Sequence, residues 1–221
     1  MAQVLPSACC HHPQNIYHTP YIEEHFDEIV KESIAVSEKV CKLYDGIVAD
    51  DRKGVYKFTG DLNSTWLYPV YNVFAASSPS KHFYEIYRFI SESVKHYITE
   101  IVGYYPTCQV WIQAWINVHT HENLLKRHTH KFPFHGYLSI DPKDSTTFFY
   151  YNSTGTPSPG KDFRIQNAPG KLYIGPGHQF HEVLCDKVDD YRITLAFNLI
   201  TSDDSDFNYN MIDGSSFIPL L

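Results

Sequence analysis

Alternation of apolar and polar residues with period two, from about residue 108 to residue 200, is the feature that most constrains the fold. Successive side chains of a β-strand point to opposite faces, so this pattern predicts strands with one buried face. Sequences typical of turns interrupt the alternation at Asp141-Pro142, 153–160, Pro169-Gly170, 175–177 and 186–190. Many short strands with no helix between them favour an antiparallel barrel or sandwich.

Two helices are predicted before the strand-rich part of the chain. The first is expected over 19–46, because Thr-Pro opens an apolar series at helical spacing and a glycine follows it. The second is expected over 78–103, where Ser-Pro precedes an amphipathic aromatic and aliphatic stripe. Between them, 55–59 and 66–68 read as short strands.

The chain is expected to form a single domain over 1–221, since no internal repeat or Gly/Ser-rich linker divides it. The fold class is α+β and mainly β. We expect an irregular arm over 1–18, helical support with short strands over 19–107, a β core over 108–200 and a tail over 201–221. The tail ends in apolar residues that are expected to dock onto the body.

Composition and net charge limit the classes of function that are expected for this chain. Of 221 residues, 43% are hydrophobic and 19% charged, which is typical of a globular chain. The net charge of −7 argues against a nucleic-acid partner. No apolar run is long enough to span a membrane or to form a signal peptide. Five cysteines without CxxC spacing suggest reduced thiols, so a cytoplasmic protein without a membrane partner is expected.

Two predicted strands carry polar residues on the face opposite their apolar side. In strand 109–118 that face mixes aromatic and amide side chains, which suits a cavity for a polar ligand: Gln109, Trp111, Gln113, Trp115 and Asn117. In strand 191–199 the corresponding face consists of Arg192, Thr194, Ala196 and Asn198. An arginine in this position either faces solvent or points into a pocket, and the sequence leaves both possibilities open.

Thirteen histidines include a set with the spacing of metal ligands. His128 and His130 lie at i and i+2, on one face of an extended segment, and His181 follows the turn at 175–177. Three donors from two separated strands can hold a metal ion and leave coordination positions open. The other histidines of this region are interpreted as solvated loop residues rather than as residues lining the site: His119, His121, His135 and His178.

A series of short motifs occurs in a fixed order over about 108–200. It comprises W-x-N ending at Asn117, H-x-H at 128–130, G-x-L-x-x-x-P at 170–176, H-x-V at 181–183, R-x-T at 192–194 and F-N at 197–198. This ordered set resembles the Fe(II)/2-oxoglutarate-dependent dioxygenases, and within them small oxygenases of phage and marine bacterial type. The resemblance implies a double-stranded β-helix, a jelly-roll or cupin-like barrel, buttressed by the two N-terminal helices.

The resemblance also implies an activity and a set of site residues. The expected enzyme uses Fe(II), 2-oxoglutarate and O2 to hydroxylate a small-molecule or peptide substrate, with release of succinate and CO2. The residues that it assigns to the metal are His128, His130 and His181. Those that it assigns to 2-oxoglutarate are Arg192, Thr194, Asn117 and Tyr137. An arginine suits the far carboxylate because its planar fork can bind both oxygens.

One departure from the family pattern leaves alternatives open. The usual triad has two histidines and a carboxylate, whereas the second position here is His130. Either His130 is a ligand, or a carboxylate such as Asp141 or Asp144 replaces it and His130 forms hydrogen bonds behind the ligands. Glu182 is expected to face away from His181.

The alternative function is a cupin-like three-histidine metal-binding protein without 2-oxoglutarate chemistry, and a second alternative is an interaction module without metal. The sequence does not specify the substrate. The candidates to shape its pocket are Trp111, Gln113, Trp115 and the segment 152–168.

Overall fold

A computed structural model describes ten stretches of the chain: 3–4, 15–45, 63–64, 72–77, 80–103, 109–119, 126–152, 154–185, 191–201 and 217–220. The helices are α1 (Tyr21–Glu24), α2 (Phe26–Asp45), α3 (Val73–Ala76) and α4 (Lys81–His96), which continues into a π-helical turn at Tyr97–Ile101. The strands are β1 (Gln3–Val4), β2 (Ile16–His18), β3 (Asn63–Ser64), β4 (Val110–His119), β5 (Phe134–Asp141), β6 (Ser145–Phe149), β7 (Phe163–Gln166), β8 (Lys171–Pro176), β9 (His181–Cys185), β10 (Arg192–Thr201) and β11 (Ile218–Pro219). The strands predicted at 55–59 and 66–68 lie outside the described residues.

Both predicted helices are present, with different boundaries. The helix expected over 19–46 is divided at His25, whose backbone (φ −126°, ψ 35°) leaves the helical region. The second helix begins after Ser80, whose hydroxyl accepts a hydrogen bond from the Phe83 N–H, and not at the preceding Ser-Pro pair. This side-chain cap satisfies one of the N–H groups that the first helical turn leaves unpaired.

The strands form two antiparallel sheets, in agreement with the predicted mainly-β class. The larger sheet has eight strands in the order β1-β2-β8-β5-β10-β4-β11, with β3 also paired to β4. The smaller sheet has the order β7-β6-β9. Its edge is extended by an antiparallel bridge between His128 and His181. The two long strands β4 and β10 lie side by side in the larger sheet, so their alternating faces coincide.

The two ends of the chain join the larger sheet. The prediction of an irregular arm over 1–18 is wrong for its described residues, because β1 pairs with β2 and β2 pairs with β8. Tyr17 is fully buried there, and strands of two or three residues are too short to produce a periodic pattern. The predicted docking of the apolar tail is confirmed for 217–220, where β11 pairs with β4 and both Phe217 and Leu220 are buried.

Each face of the larger sheet packs against a different layer. The helices cover one face, where Ile112, Ile116, Leu195 and Phe197 join helix residues in a common core. The opposite face packs against the smaller sheet, through a second cluster that contains Trp115, Tyr137, Phe149, Ile165, Tyr173 and Ala196. The polar residues of β4 and β10 therefore lie between the two sheets. None of the described helices has the length and apolar character needed to cross a membrane.

Candidate metal centre

Backbone pairing brings the three predicted metal-ligating histidines together. The N–H of His128 donates to the carbonyl of His181 and the N–H of His181 donates to the carbonyl of His128, each over 3.0 Å. The N–H of His130 donates to the carbonyl of Gly177 over 2.8 Å, which fixes the same segment to the turn before β9. One ring nitrogen from each histidine lies within 4.8 Å of the other two. The group is therefore small enough to share one metal ion.

Hydrogen bonds define the tautomer of each of these three rings. In every case Nδ1 contacts a carbonyl oxygen, which accepts hydrogen bonds and cannot donate one. The acceptors are the backbone carbonyl of Lys126 for His128 (2.7 Å), Oδ1 of Asn198 for His130 (2.7 Å) and the backbone carbonyl of Gln179 for His181 (3.1 Å). Nδ1 therefore carries the proton, and the neutral ring keeps a lone pair on Nε2. Metal-binding histidines commonly have this arrangement.

Reduced contact with solvent favours the neutral form of these histidines, of which His181 is buried and His128 and His130 are half-buried. Loss of solvent lowers the pKa of His130 to about 4, with a further lowering from the neighbouring His128, although the hydrogen bond to Asn198 opposes this shift. Burial also lowers the pKa of His128 and places that of His181 well below its usual value. A metal ion at neutral pH would thus have no ring protons to displace from Nε2.

Asp141 and Asp144, the carboxylates considered as alternatives to His130, have partners elsewhere, and so does Glu182. Asp141 lies 2.7 Å from the ammonium group of Lys143, and Asp144 accepts a hydrogen bond from the side chain of Gln166. The Glu182 carboxylate accepts a hydrogen bond from the Tyr150 hydroxyl. Among the described residues, the group that could hold a metal consists of the three histidines without a carboxylate.

A cavity adjoins the three histidines and extends to Arg192. Its lining residues are Trp115, Asn117, His128, His130, His135, Gly136, Tyr137, Thr147, His181, Val183, Arg192, Thr194 and Ala196. The sequence left open whether Arg192 faces solvent or points into a pocket. In the structure it points into a pocket, because the residue lines the cavity and is only 2% exposed.

The guanidinium of Arg192 is buried without a described counter-ion. Its Nε donates to the Ser145 hydroxyl over 3.1 Å, and no carboxylate of the described residues lies within 4.0 Å of it. Burial lowers the pKa of Arg192 to about 10, so the group is still charged at neutral pH. A buried charge without a partner is costly, and an anionic ligand would compensate for it.

The other residues assigned to 2-oxoglutarate also line the cavity. Thr194 lies opposite Asn117 in the β10–β4 pairing, and the Asn117 amide approaches the Thr194 hydroxyl at 3.5 Å. The Tyr137 hydroxyl donates to Oδ1 of Asn167 over 3.1 Å, and burial raises the Tyr137 pKa. The four residues therefore lie in one cavity with the histidines.

Two histidines were interpreted wrongly from the sequence. His119 is fully buried, and among the described residues neither of its ring nitrogens has a hydrogen-bond partner. His135 is 1% exposed, its ring stacks on those of His130 and His181 with centroids 4.3 and 4.6 Å apart, and its Nε2 has no described partner. The alternation contained the signal, since His119 follows Asn117 by two residues and His135 precedes Tyr137 by two.

Of the other residues that the sequence suggested for the site, some line the cavity and others make contacts elsewhere. His178 is exposed, as predicted, and His121 lies outside the described residues. Trp115 lines the cavity, whereas Gln113 accepts a hydrogen bond from Asn198. Trp111 and the described part of 152–168 do not line this cavity. Within that segment the Asn152 side chain bonds to nearby hydroxyl groups and so holds the loop together.

Comparisons with known proteins find similarity in structure. No protein-family model matches the sequence, and no curated protein matches it. A 2OG-Fe(II) oxygenase family oxidoreductase from Burkholderia pseudomallei aligns over 53% of this chain and 57% of its own, with 15% identity and a TM-score of 0.41. The chain thus spans little more than half of that protein.

Two further solved structures are an epimerase and a cupin. The epimerase SnoN, in complex with Fe3+, alpha-ketoglutarate and nogalamycin RO, aligns over 85% of this chain and 79% of its own, with 9% identity and a TM-score of 0.46. A cupin domain from Bordetella pertussis aligns over 44% of this chain and 93% of its own, with 13% identity and a TM-score of 0.31. These three solved structures are thus a 2OG-Fe(II) oxygenase family protein, an epimerase with Fe3+ and alpha-ketoglutarate bound, and a cupin domain.

Proposed function

We propose that this protein is a single-domain, cytoplasmic non-haem Fe(II) oxygenase with a double-stranded β-helix core. It would use 2-oxoglutarate and O2 to hydroxylate a small-molecule or peptide substrate, with release of succinate and CO2. The observation that carries the proposal is the combination of two features in one cavity. Three neutral imidazoles each have one ring nitrogen within 4.8 Å of the other two and keep the Nε2 lone pair, and a buried arginine lacks a described counter-ion.

The donor set fits a ferrous ion. Imidazole nitrogen suits iron, and three protein ligands leave positions for a co-substrate and for dioxygen. His128, His130 and His181 would hold the metal through Nε2, since hydrogen bonds to carbonyl oxygens occupy their Nδ1–H groups. When bound with 2-oxoglutarate and O2, the iron supplies the oxidising chemistry in which one oxygen atom enters succinate and the other enters a C–H bond of the substrate.

The charge of the cavity favours a dicarboxylate. Among the described residues, its lining includes Arg192 and contains no Asp or Glu. Arg192 would bind the far carboxylate of 2-oxoglutarate with its planar fork, and the Thr194 hydroxyl would add a hydrogen bond. Asn117 and Tyr137 would contact the same co-substrate from the neighbouring strands. The buried position of Arg192 would strengthen this ion pair, because little solvent screens it.

The three-histidine set also favours a second candidate function. A cupin-like protein could bind a metal through these imidazoles without any 2-oxoglutarate chemistry, because no described carboxylate completes the usual triad. The two proposals differ in what Arg192 does: it binds the co-substrate in the first, and another anionic group in the second.

Anaerobic titration of the Fe(II)-loaded protein with 2-oxoglutarate distinguishes these functions. The oxygenase proposal predicts a new visible absorption band at one equivalent of 2-oxoglutarate, and succinate formation once O2 is admitted. His181→Ala should lose the metal and the band together. Metal binding without the band would favour the cupin-like protein. Protein purified without a His-tag column that binds no metal would contradict both and leave the interaction module.

A further inference from the structure

Asn198 and Gln113 form a chain of buried amides behind His130. Asn198 Oδ1 accepts the Nδ1–H of His130 over 2.7 Å, and Asn198 Nδ2 donates to Gln113 Oε1 over 3.0 Å. Asn198 is 2% exposed and Gln113 is 7% exposed, so both bonds are shielded from water. The two residues lie directly opposite each other in the β10–β4 pairing. A fixed strand register therefore supports this contact between side chains.

The direction of this amide chain decides which His130 nitrogen is available. With Oδ1 toward the ring, His130 must carry its proton on Nδ1 and keep the Nε2 lone pair. If the Asn198 amide were reversed, its NH2 group would face Nδ1. His130 would then have to accept at Nδ1 and place its proton on Nε2, its other ring nitrogen. That tautomer cannot bind a metal through Nε2.

Gln113 favours the orientation of the Asn198 amide in which Oδ1 faces the His130 ring. Its Oε1 accepts from Asn198 Nδ2. Reversal of the Asn198 amide alone would bring two carbonyl oxygens together, which is unfavourable in a buried place. The other two histidines have no comparable dependence on side chains, because their Nδ1–H groups donate to backbone carbonyls. His130 is thus the ligand whose tautomer depends on residues that could be replaced.

We propose that Asn198 and Gln113 are positioning residues that hold His130 in the Nδ1–H tautomer and thereby make it competent to bind the metal. Asn198 acts on the ring directly, and Gln113 acts through Asn198. This inference rests on the proposed function in so far as His130 is a metal ligand, but the tautomer itself exists without metal.

The first test measures the tautomer in the metal-free protein. Long-range 1H–15N correlation spectra of 15N-histidine protein distinguish protonated Nδ1 from protonated Nε2, and a His130→Gln variant identifies the His130 signals. We expect the Nδ1–H form in wild type, and in Asn198→Asp, which keeps the acceptor. Asn198→Leu should populate the Nε2–H form. An unchanged tautomer in Asn198→Leu would overturn the inference, whatever the protein does with metal.

The second test measures binding of Co(II) by its visible absorption. Loss of a partner behind a metal-binding histidine commonly weakens affinity by about 10- to 100-fold, so Asn198→Leu should bind Co(II) that much more weakly. Gln113→Leu should weaken binding by a smaller factor. Gln113→Glu is the matched control, because both of its terminal oxygens can accept from Asn198 Nδ2, and it should bind as wild type does.

A double variant separates positioning from general damage to the fold. If Gln113 acts through Asn198, adding Gln113→Leu to Asn198→Leu should change Co(II) affinity no further. Additive losses, or equal losses in Gln113→Glu and Gln113→Leu, would contradict the amide chain. If wild-type protein binds no Co(II), the proposed function fails and His130 is no ligand, whereas the tautomer measurement still decides whether the amide pair controls the ring.

Discussion

Replacement of Arg192 by methionine should have two opposite consequences, which together test the role proposed for Arg192 in the cavity. The metal-free protein should become more stable, and the metal-loaded protein should lose its affinity for 2-oxoglutarate. Methionine fills a similar space with an apolar side chain and removes a charge that has no carboxylate partner among the described residues. Few substitutions of a fully buried polar residue are expected to raise the stability of a protein.

The magnitude follows from the pKa of Arg192. Burial lowers it to about 10, more than two pH units below the usual value for arginine, which corresponds to roughly 3 kcal/mol against the charged form. The substitution also removes the bond from Nε to the Ser145 hydroxyl, a loss of about 1 kcal/mol. Ser145 keeps a partner, because its hydroxyl also accepts from Asn167. A net gain of roughly 2 kcal/mol is therefore expected.

The loss of ligand binding follows from the hydrogen bonds that the guanidinium would make. Two charge-assisted bonds to one carboxylate contribute about 1.5 to 3 kcal/mol each, so Arg192→Met should weaken 2-oxoglutarate binding by at least about 100-fold. Arg192→Lys is the matched control, since it keeps the charge and loses the planar fork. It should bind 2-oxoglutarate with intermediate affinity and show no comparable gain in stability.

Urea unfolding of the metal-free variants and calorimetric titration of the Ni(II)-loaded variants measure the two effects. An Arg192→Met protein that is less stable than wild type by about 1 kcal/mol or more would refute this prediction, because the buried charge would then be satisfied in some other way. Binding of 2-oxoglutarate by Arg192→Met as tightly as by wild type would refute it as well.

Three other substitutions test the packing and the buried histidines. Gly136→Ala would place its Cβ 2.4 Å from Cζ of Phe197 and 2.5 Å from the carbonyl oxygen of Tyr173, so urea unfolding should show a loss of roughly 2 to 3 kcal/mol. Burial lowers the pKa of His119 to about 3, so wild type should lose stability as the pH falls below 6.5, with about 2 kcal/mol lost at pH 5 through this residue. Stability falls in acid because His119 binds a proton in the unfolded chain and not in the folded chain. His119→Phe should abolish this part of the acid dependence, as measured by unfolding curves at pH 7 and pH 5. Leu220→Ala should destabilise the protein by roughly 2 to 4 kcal/mol in the same assay, because Leu220 is 5% exposed; a neutral result would mean that the tail is not docked.

Local patterns in the sequence were sufficient to predict the long strands and the polar faces of β4 and β10. Both strands carry one regular apolar face, which alternation of period two records directly, whereas the burial of their polar faces as well is not recorded by it. The division of the first helix at His25 was not predicted, because the apolar spacing continues on both sides of it. The short strands β1 and β2 were also missed, because their stability comes from pairing with each other and with distant β8.

Residues of the candidate site could be predicted where spacing along one strand sets their geometry. His128 and His130 share a face at i and i+2, and their contact with His181 follows only from the bridge between two segments distant in sequence. Alternation places His119 on the face of Asn117 and His135 on the face of Tyr137, but it does not record that these faces are buried in the fold. The contact from Asn198 to His130 likewise requires β10 to lie beside the segment that carries His130.

The absence of a carboxylate from the described metal-binding group changes the electrostatics of the cavity. Three neutral imidazoles leave a divalent ion with its full charge, whereas a triad with one carboxylate would halve it. Together with the Arg192 guanidinium, the described lining would hold three positive charges and no negative one once the metal is bound. A dicarboxylate neutralises two of them, and a monocarboxylate neutralises one. Binding of the metal and binding of the dianion should therefore strengthen each other reciprocally, and more strongly than in a site with an acidic ligand. A metal held by His130 in place of a carboxylate would therefore make the proposed centre more dependent on its anionic co-substrate.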